Sequence, residues 1–198
     1  EQKIKYKINK GEGAFYGPKI DFHVKDSLGR TWQCSTIQLD MALPERFNLI
    51  YNDEKAKERR PIMLHRVIYG SIERFLAIIT EHLDGKFPLW ISPNQVKVIS
   101  LNDSTNDYSK KIYQRLFDEG LETELDLRNE SIGKKARDAQ IQRFNYIVTA
   151  GEREKSNGKI AVKKRDSKNI KEMSIINFIK QVKKELIEKK IIFLQKVL

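Results

Sequence analysis

The chain has 198 residues, 39% hydrophobic and 33% charged, with a formal net charge of +11. That composition suits one large or two small globular domains, and the single cysteine, Cys34, excludes a disulfide framework. No apolar run is long enough to span a bilayer and no signal peptide opens the chain, so the expected compartment is the reducing cytoplasm, and neither a membrane nor DNA is an expected partner. The charge is uneven: residues 1–94 carry +3 and residues 95–198 carry +8. The second half is therefore the expected polyanion contact, with solvated surface lysines as the alternative.

The first residue is Glu1 in a Lys-rich stretch, as expected for the interior of a longer protein. Residues 20–25 alternate apolar and polar and predict a half-buried strand. A turn at 26–29 leads into a returning strand over 30–39. Residues 44–60 are polar, with a charge run from Asp53 to Arg60, and predict a helix or a long loop. An apolar strand over 62–69 breaks at Gly70-Ser71, where Ser71 is a candidate N-cap. Ile72, Phe75, Leu76, Ile79 and Leu83 then fall on one helical face. The proline-punctuated stretch 87–93 predicts the domain boundary.

Beyond it the pattern becomes βαβ. Strands are predicted at 96–101, 121–127 and 146–148, and helices around Tyr108, Ile112 and Leu116, over 132–142, and from a Ser174 cap onward. Asn157-Gly158 predicts a type I′ hairpin into 159–165. The expected class is α+β followed by α/β: an antiparallel sheet, then a mixed sheet that is mostly parallel with a late antiparallel hairpin. Residues 191–198 form an apolar tail, read as a helix extension, a packing surface or disorder.

Several residues have the chemistry of a site. Arg74, where a strand gives way to a helix, presents a rigid fork of donors suited to phosphate oxygens. A surface arginine paired with Glu73 or Glu81 is the alternative. His65 on the preceding strand offers a neutral nitrogen to a metal, although a lone strand histidine is more often a packing residue.

Taken in order, the stretches 11–22 (Gly-Glu-Gly-Ala-Phe-Tyr-Gly-Pro-Lys-Ile-Asp-Phe), 32–40 (Trp-Gln-Cys-Ser-Thr-Ile-Gln-Leu-Asp), 61–82 and 126–130 (Asp-Leu-Arg-Asn-Glu) resemble the threonyl-tRNA synthetases, a family of class II aminoacyl-tRNA ligases. Gly-Ser-Ile-Glu-Arg-Phe at 70–75 is similar to class II motif 3. The resemblance runs to about residue 190 and implies the end of a class II antiparallel catalytic sheet over 1–90 and an anticodon-binding domain over 91–190.

What the resemblance implies follows residue by residue. Arg74, Lys19 and Tyr16 take catalytic positions, Arg74 against the phosphates of ATP. Gln33, Thr36, Gln38 and Ser71 face the adenylate and threonine, with Ser71 a cap, a contact, or both. His65 is one of three zinc ligands, the cysteine and second histidine lying upstream of this chain. Zinc that grips the threonine hydroxyl rejects valine, which lacks it. Mg²⁺ accompanies ATP. Asn129, Arg143, Glu154 and Lys163 match positions that read anticodon bases, with Lys163 where arginine is usual and Ser131 where lysine can occur. The implied partners are tRNA(Thr), ATP and threonine, in a homodimeric parent. Motifs 1 and 2 are absent, so the chain alone is expected to be inactive. The alternative is a non-catalytic tRNA-binding or regulatory module derived from the ligase.

One implication conflicts with strand geometry. In a regular strand Thr36 and Gln38 share a face and Gln33 lies on the other. For all three to face one pocket, the strand needs a bulge or bend between Gln33 and Thr36.

Overall fold

A computed structural model describes residues 5–189, so the apolar tail at 191–198 lies outside the described residues. The chain divides into two compact units, Glu1–His82 and Leu83–Leu198.

The first unit is built on a three-stranded antiparallel sheet of β1 (Lys19–Lys25), β2 (Thr31–Asp40) and β5 (Met63–Val67), with β2 in the middle. Asp26 makes the β1–β2 turn: its carboxylate accepts the backbone N–H of Leu28 and Arg30, and Gly29 takes φ 79°. The polar stretch 44–60 is neither one helix nor an open loop. It forms the short helix α1 (Leu43–Arg46) and then a hairpin of β3 (Tyr51–Asn52) and β4 (Glu58–Arg59). The physical reason is Asp53, whose Oδ1 accepts the N–H of Lys55 and Lys57 while Oδ2 accepts Arg59 Nε, so the charge run closes on itself. Helix α2 (Ile72–His82) starts where Ser71 Oγ accepts the Arg74 N–H. Its apolar stripe is real, yet α2 buries none of its residues.

The second unit carries a five-stranded sheet in the order β10-β9-β8-β6-β7. Strands β6 (Val96–Ser100), β7 (Thr123–Asp126) and β8 (Tyr146–Ala150) are parallel; β9 (Ile160–Lys164) and β10 (Ile170–Met173) close it antiparallel. Helices α3 (Asn106–Asp118), α4 (Ile132–Ile141) and α6 (Ile175–Glu188) supply the apolar stripes. Val96, Val98, Leu116, Tyr146, Val148, Ile160, Phe178 and Val182 are buried together in one cluster. The unit starts at Leu83, ahead of the proline-punctuated stretch, and Leu89 within that stretch is buried in the same cluster.

Asn157-Gly158 does not make a hairpin. Residues 152–157 form a short helix, α5 (Glu152–Asn157), and Gly158 at φ 62° ends it as a left-handed cap. The same φ > 0 preference that marks a type I′ turn also marks a helix C-terminus, and here the Glu154 carboxylate, accepting the Gly151 N–H, starts the helix first. The late antiparallel hairpin is β9–β10 instead.

Leu116→Ala should lower the stability of the second unit by about 2–5 kcal/mol, because Leu116 is fully buried. Leu76→Ala, on the exposed stripe of α2, should cost less than about 0.5 kcal/mol. Urea unfolding followed through the amide signals of each unit checks both.

Candidate functional site

In the first unit the sheet gathers a polar row. The register pairs Lys19 with Gln38 and Gln38 with His65, and Asp21 with Thr36. Between Phe22 and His23 the pairing slips: Phe22 faces Ser35, His23 faces Gln33, and Cys34 is the extra residue on β2. Of the bulge or bend expected between Gln33 and Thr36, the strand carries a bulge. Past it, Gln33 Nε2 and Thr36 Oγ1 both donate to Asp21 Oδ1, at 2.8 and 2.7 Å. Gln38 Nε2 lies 3.5 Å from Thr36 Oγ1, and Tyr16 donates its hydroxyl proton to Gln38 Oε1. Lys19 Nζ sits 2.9 Å from Asp21 Oδ2. Gly17 allows this: a Cβ there would lie 2.1 Å from the Leu39 carbonyl oxygen, so only glycine brings Tyr16 down onto β2.

Asp21 is the residue the sequence reading missed. Burial raises its carboxyl, but hydrogen bonds from Lys19 and Thr36 outweigh that and leave it below the usual carboxylate range. The alternation over 20–25 places it on the face of His23 and Lys25.

His65 was read as a metal ligand. Its Nε2 lies 2.7 Å from Oδ2 of Asp40, whose side chain is buried, and its ring meets Tyr16 edge-on at 5.4 Å. Asp40 Oδ1 accepts the N–H of Ala42 and Leu43, which starts α1. Burial raises the Asp40 carboxyl, while the Leu43 N–H, His65 and the Ala42 N–H together hold it below its usual value. Among the described residues no three His, Cys, Asp or Glu side chains converge. One histidine beside one carboxylate does not fit a zinc ion, which takes at least three protein ligands.

Arg74 is exposed on the first turn of α2, with Nη1 donating to the Gln33 carbonyl at 3.2 Å and its guanidinium 5.9 Å from the Trp32 ring centroid. Arg30 lies 5.7 Å from the same ring, and Asp26 Oδ2 accepts the Trp32 indole N–H at 2.8 Å. Arg74 thus stands beside Gln33 at the bulge, not paired with Glu73 or Glu81; it is Arg30 and Ser27 that engage Glu81.

In the second unit the four anticodon candidates separate into two places. Arg143 and Lys163 line one cleft of about 350 Å³, together with Gln140, Phe144, Arg165 and Asp166. Asn129 follows β7 on an exposed loop, and Glu154 lies in α5 after β8. Both therefore sit toward the carboxyl ends of the parallel strands, whereas Arg143 precedes β8 and Lys163 pairs with Ile147 near its start. Glu154 Oε2 accepts the Gly151 N–H at 3.1 Å. The loop of Asn129 is fixed by Arg128, which forks onto Asp126 and reaches Asp138 at 2.9 Å.

Arg143 is the unusual one. The Phe144 N–H bonds to Ala139 O and the Arg143 N–H to Gln140 O, the two bonds of a Schellman ending to α4. That ending wants glycine at the left-handed position, and Arg143 stands there at φ 63°. Arg165 directly follows β9. Its Nη1 donates to Arg143 O at 3.0 Å and its Nη2 to Lys86 O and Phe87 O. Burial pulls its guanidinium below its usual value; Asp166 opposes this and Arg143 adds to it.

A strand-and-helix piece of a synthetase core followed by a mixed-sheet domain with a basic cleft is the layout of a class II aminoacyl-tRNA synthetase. Family models agree: the tRNA synthetase class II core domain (G, H, P, S and T) matches residues 1–83 and the anticodon binding domain matches residues 95–185. The chain is 51% identical over 186 residues to the threonine–tRNA ligase of Caldanaerobacter subterraneus subsp. tengcongensis, covering 94% of this chain and 29% of that protein. It is 55% identical over 177 residues to that of Desulfatibacillum aliphaticivorans, covering 89% and 28%. The crystal structure of the RNA binding domain of threonyl-tRNA synthetase from Cryptosporidium parvum Iowa II superposes with a TM-score of 0.88 at 39% identity, covering 92% of this chain and 46% of that one. The chain belongs to the threonyl-tRNA synthetase family. It spans about 30% of the length of the curated relatives it matches.

Two outcomes follow from the electrostatics and the strain. Burial raises the Asp26 carboxyl, yet Trp32 and Arg30 hold it at about 2. Its folded value is depressed, so its contribution is present above the unfolded value of about 3.9 and is lost as pH falls toward 2. Trp32 fluorescence should report loosening between about pH 4 and 2, and Asp26→Asn should abolish that step. Arg143→Gly should stabilise the second unit by about 0.5–1 kcal/mol, by removing the left-handed strain; an unchanged unfolding midpoint in urea would show the position to be unstrained.

Proposed function

We propose that this chain serves in a threonine–tRNA ligase, where its first unit contributes to activation of threonine with ATP and its second reads the anticodon of tRNA(Thr). The observation that carries the reading is Arg143. Glycine is the usual residue at such a helix ending; an arginine held left-handed and lining a basic cleft points to a use for its side chain. Guanidinium and ammonium groups suit splayed bases and their phosphates, as an anticodon loop presents them.

In the first unit, Arg74 would neutralise phosphate charge that Mg²⁺ shares, and the row of Gln33, Thr36 and Gln38 would orient threonine and the adenylate, with Tyr16, Lys19 and Ser71 at its margins. Catalysis of this kind is mainly positioning and charge stabilisation. Zinc belongs to the whole ligase, with His65 the single side chain this chain would bring to it. A homodimeric parent and a cytoplasmic setting belong to the same proposal; among the described residues no helix is long and apolar enough to cross a membrane. The second reading, a non-catalytic tRNA-binding module, is disfavoured by the polar row itself, which a binding module has no use for.

Fused to the remaining N-terminal portion of the Caldanaerobacter relative, the chain should support threonine-dependent pyrophosphate exchange, and Arg74→Ala should lower it by about 10²–10³-fold. The chain alone should give none, and exchange by the chain alone would overturn the division of labour. For the second unit, Arg143→Ala should weaken tRNA(Thr) binding by about 10–100-fold. Binding of tRNA(Thr) by the unaltered chain no tighter than random RNA at physiological salt would remove the anticodon reading.

A further inference from the structure

Three left-handed residues that are not glycine, Asp84 (φ 51°), Arg143 (φ 63°) and Asp166 (φ 61°), converge in one ionic network. Arg143 Nη2 lies 3.5 Å from Asp84 Oδ2, Lys86 Nζ lies between Asp84 and Asp166, and Arg165 Nε lies 3.9 Å from Asp166 Oδ2. Strained backbone persists only where its surroundings over-determine it. Here the surroundings have a centre. The Arg165 side chain is 14% exposed, and its two terminal nitrogens are spent on three carbonyl oxygens: Arg143 at 3.0 Å, Lys86 at 3.0 Å and Phe87 at 2.8 Å. Phe87 O also accepts Asn145 Nδ2, and Asn145 O accepts the Arg165 N–H, so the same strap is tied from both sides.

We propose that Arg165 is a positioning residue: it clamps the carbonyls of Lys86, Phe87 and Arg143, and so holds Arg143 in the left-handed conformation that carries its side chain to the cleft. Its functional consequence rests on the anticodon reading above; the clamp itself does not. Arg165 touches the cleft wall, but its donors are turned inward, so it acts on a ligand through Arg143. The carbonyls are divided between two nitrogens held apart by a rigid plane; a lysine at the same place keeps the charge but gathers its rotatable donors on one atom. The clamp also fixes the segment bearing Asp84, the acidic partner of the Arg143 guanidinium, so both ends of Arg143 depend on it.

The test uses two cycles on the full chain, with Arg165→Lys chosen because it preserves stem and charge and leaves the unit folded. In the first, amide exchange of Phe144, whose N–H bonds to Ala139 O, should quicken about tenfold in Arg165→Lys. In an Arg143→Gly background the same change should quicken it less than about threefold, since glycine takes φ > 0 unaided. Equal acceleration in both backgrounds, or none in the parent, overturns the clamp. In the second cycle, Arg165→Lys should reduce the preference for tRNA(Thr) over an anticodon-altered tRNA by about tenfold with no change in the salt slope, and should cost nothing further in Arg143→Ala. In Arg165→Ala, which removes the charge, a salt slope lower by about one would make Arg165 a direct phosphate contact and overturn its role as a positioning residue. If the unaltered chain shows no preference between the two tRNAs, the anticodon reading fails, while the exchange cycle still decides the clamp.

Discussion

One extra residue in β2 governs the chemistry of the first unit. A pleated strand sends neighbours to opposite faces, so Gln33 and Thr36, three apart, cannot share a face in a regular strand. Cys34, left without a partner opposite it, resets the alternation, and Gln33 and Thr36 then reach a single carboxylate oxygen of Asp21. The bulge also sets how close the next element can come. Gly70 lies where a Cβ would stand 3.0 Å from the Cys34 carbonyl oxygen, at φ 72°. The turn into α2 therefore packs against the bulge, and Arg74 emerges beside the Gln33 carbonyl. Arg74 and a row of polar side chains are brought to one neighbourhood by a single irregularity.

The second unit solves a similar problem with strain in place of a bulge. Its core is ordinary: parallel strands of Val and Ile covered by helix stripes. The cleft is not part of that core. It sits where α4 ends, and the conformation that ends the helix also aims Arg143. Ordinary helix endings leave this position to glycine, which has no side chain to aim. Using arginine there needs an external holder, and the Arg165 carbonyl contacts supply one. Placing Arg165 on the residue that follows β9 makes the holder part of the sheet's own register.

Much of this was legible in the sequence, and the failures have physical causes. The strands and helices of the second unit follow from clean periodicity. The irregularity at Cys34 was legible because the resemblance asks Gln33, Thr36 and Gln38 to face one pocket, which a period of two forbids. Asp21 was legible in principle, since the alternation that exposed the strand also fixed its face. The charge run at 53–60 misled because its fold depends on one carboxylate accepting two backbone N–H groups, a local event that composition does not carry. Asn157-Gly158 misled because helix ends and hairpin turns ask the same thing of the backbone. The strain at Arg143 gave no signal at all, because left-handed arginine has no sequence pattern.

The separation of the anticodon candidates sets a geometric condition on the proposed anticodon reading. Arg143 and Lys163 lie near the start of β8, and Asn129 and Glu154 lie beyond the carboxyl ends of the parallel strands. The rise per residue along a strand puts these places on the order of 15 Å apart. Two stacked bases, at about 3.4 Å per step along a strand, cannot bridge that span. A loop whose bases are splayed onto a protein surface can, which is the usual way single-stranded RNA is read. The sheet then acts as a ruler: two adjacent bases that engage both places at once must be splayed apart, because stacking holds neighbours only about 3.4 Å from each other.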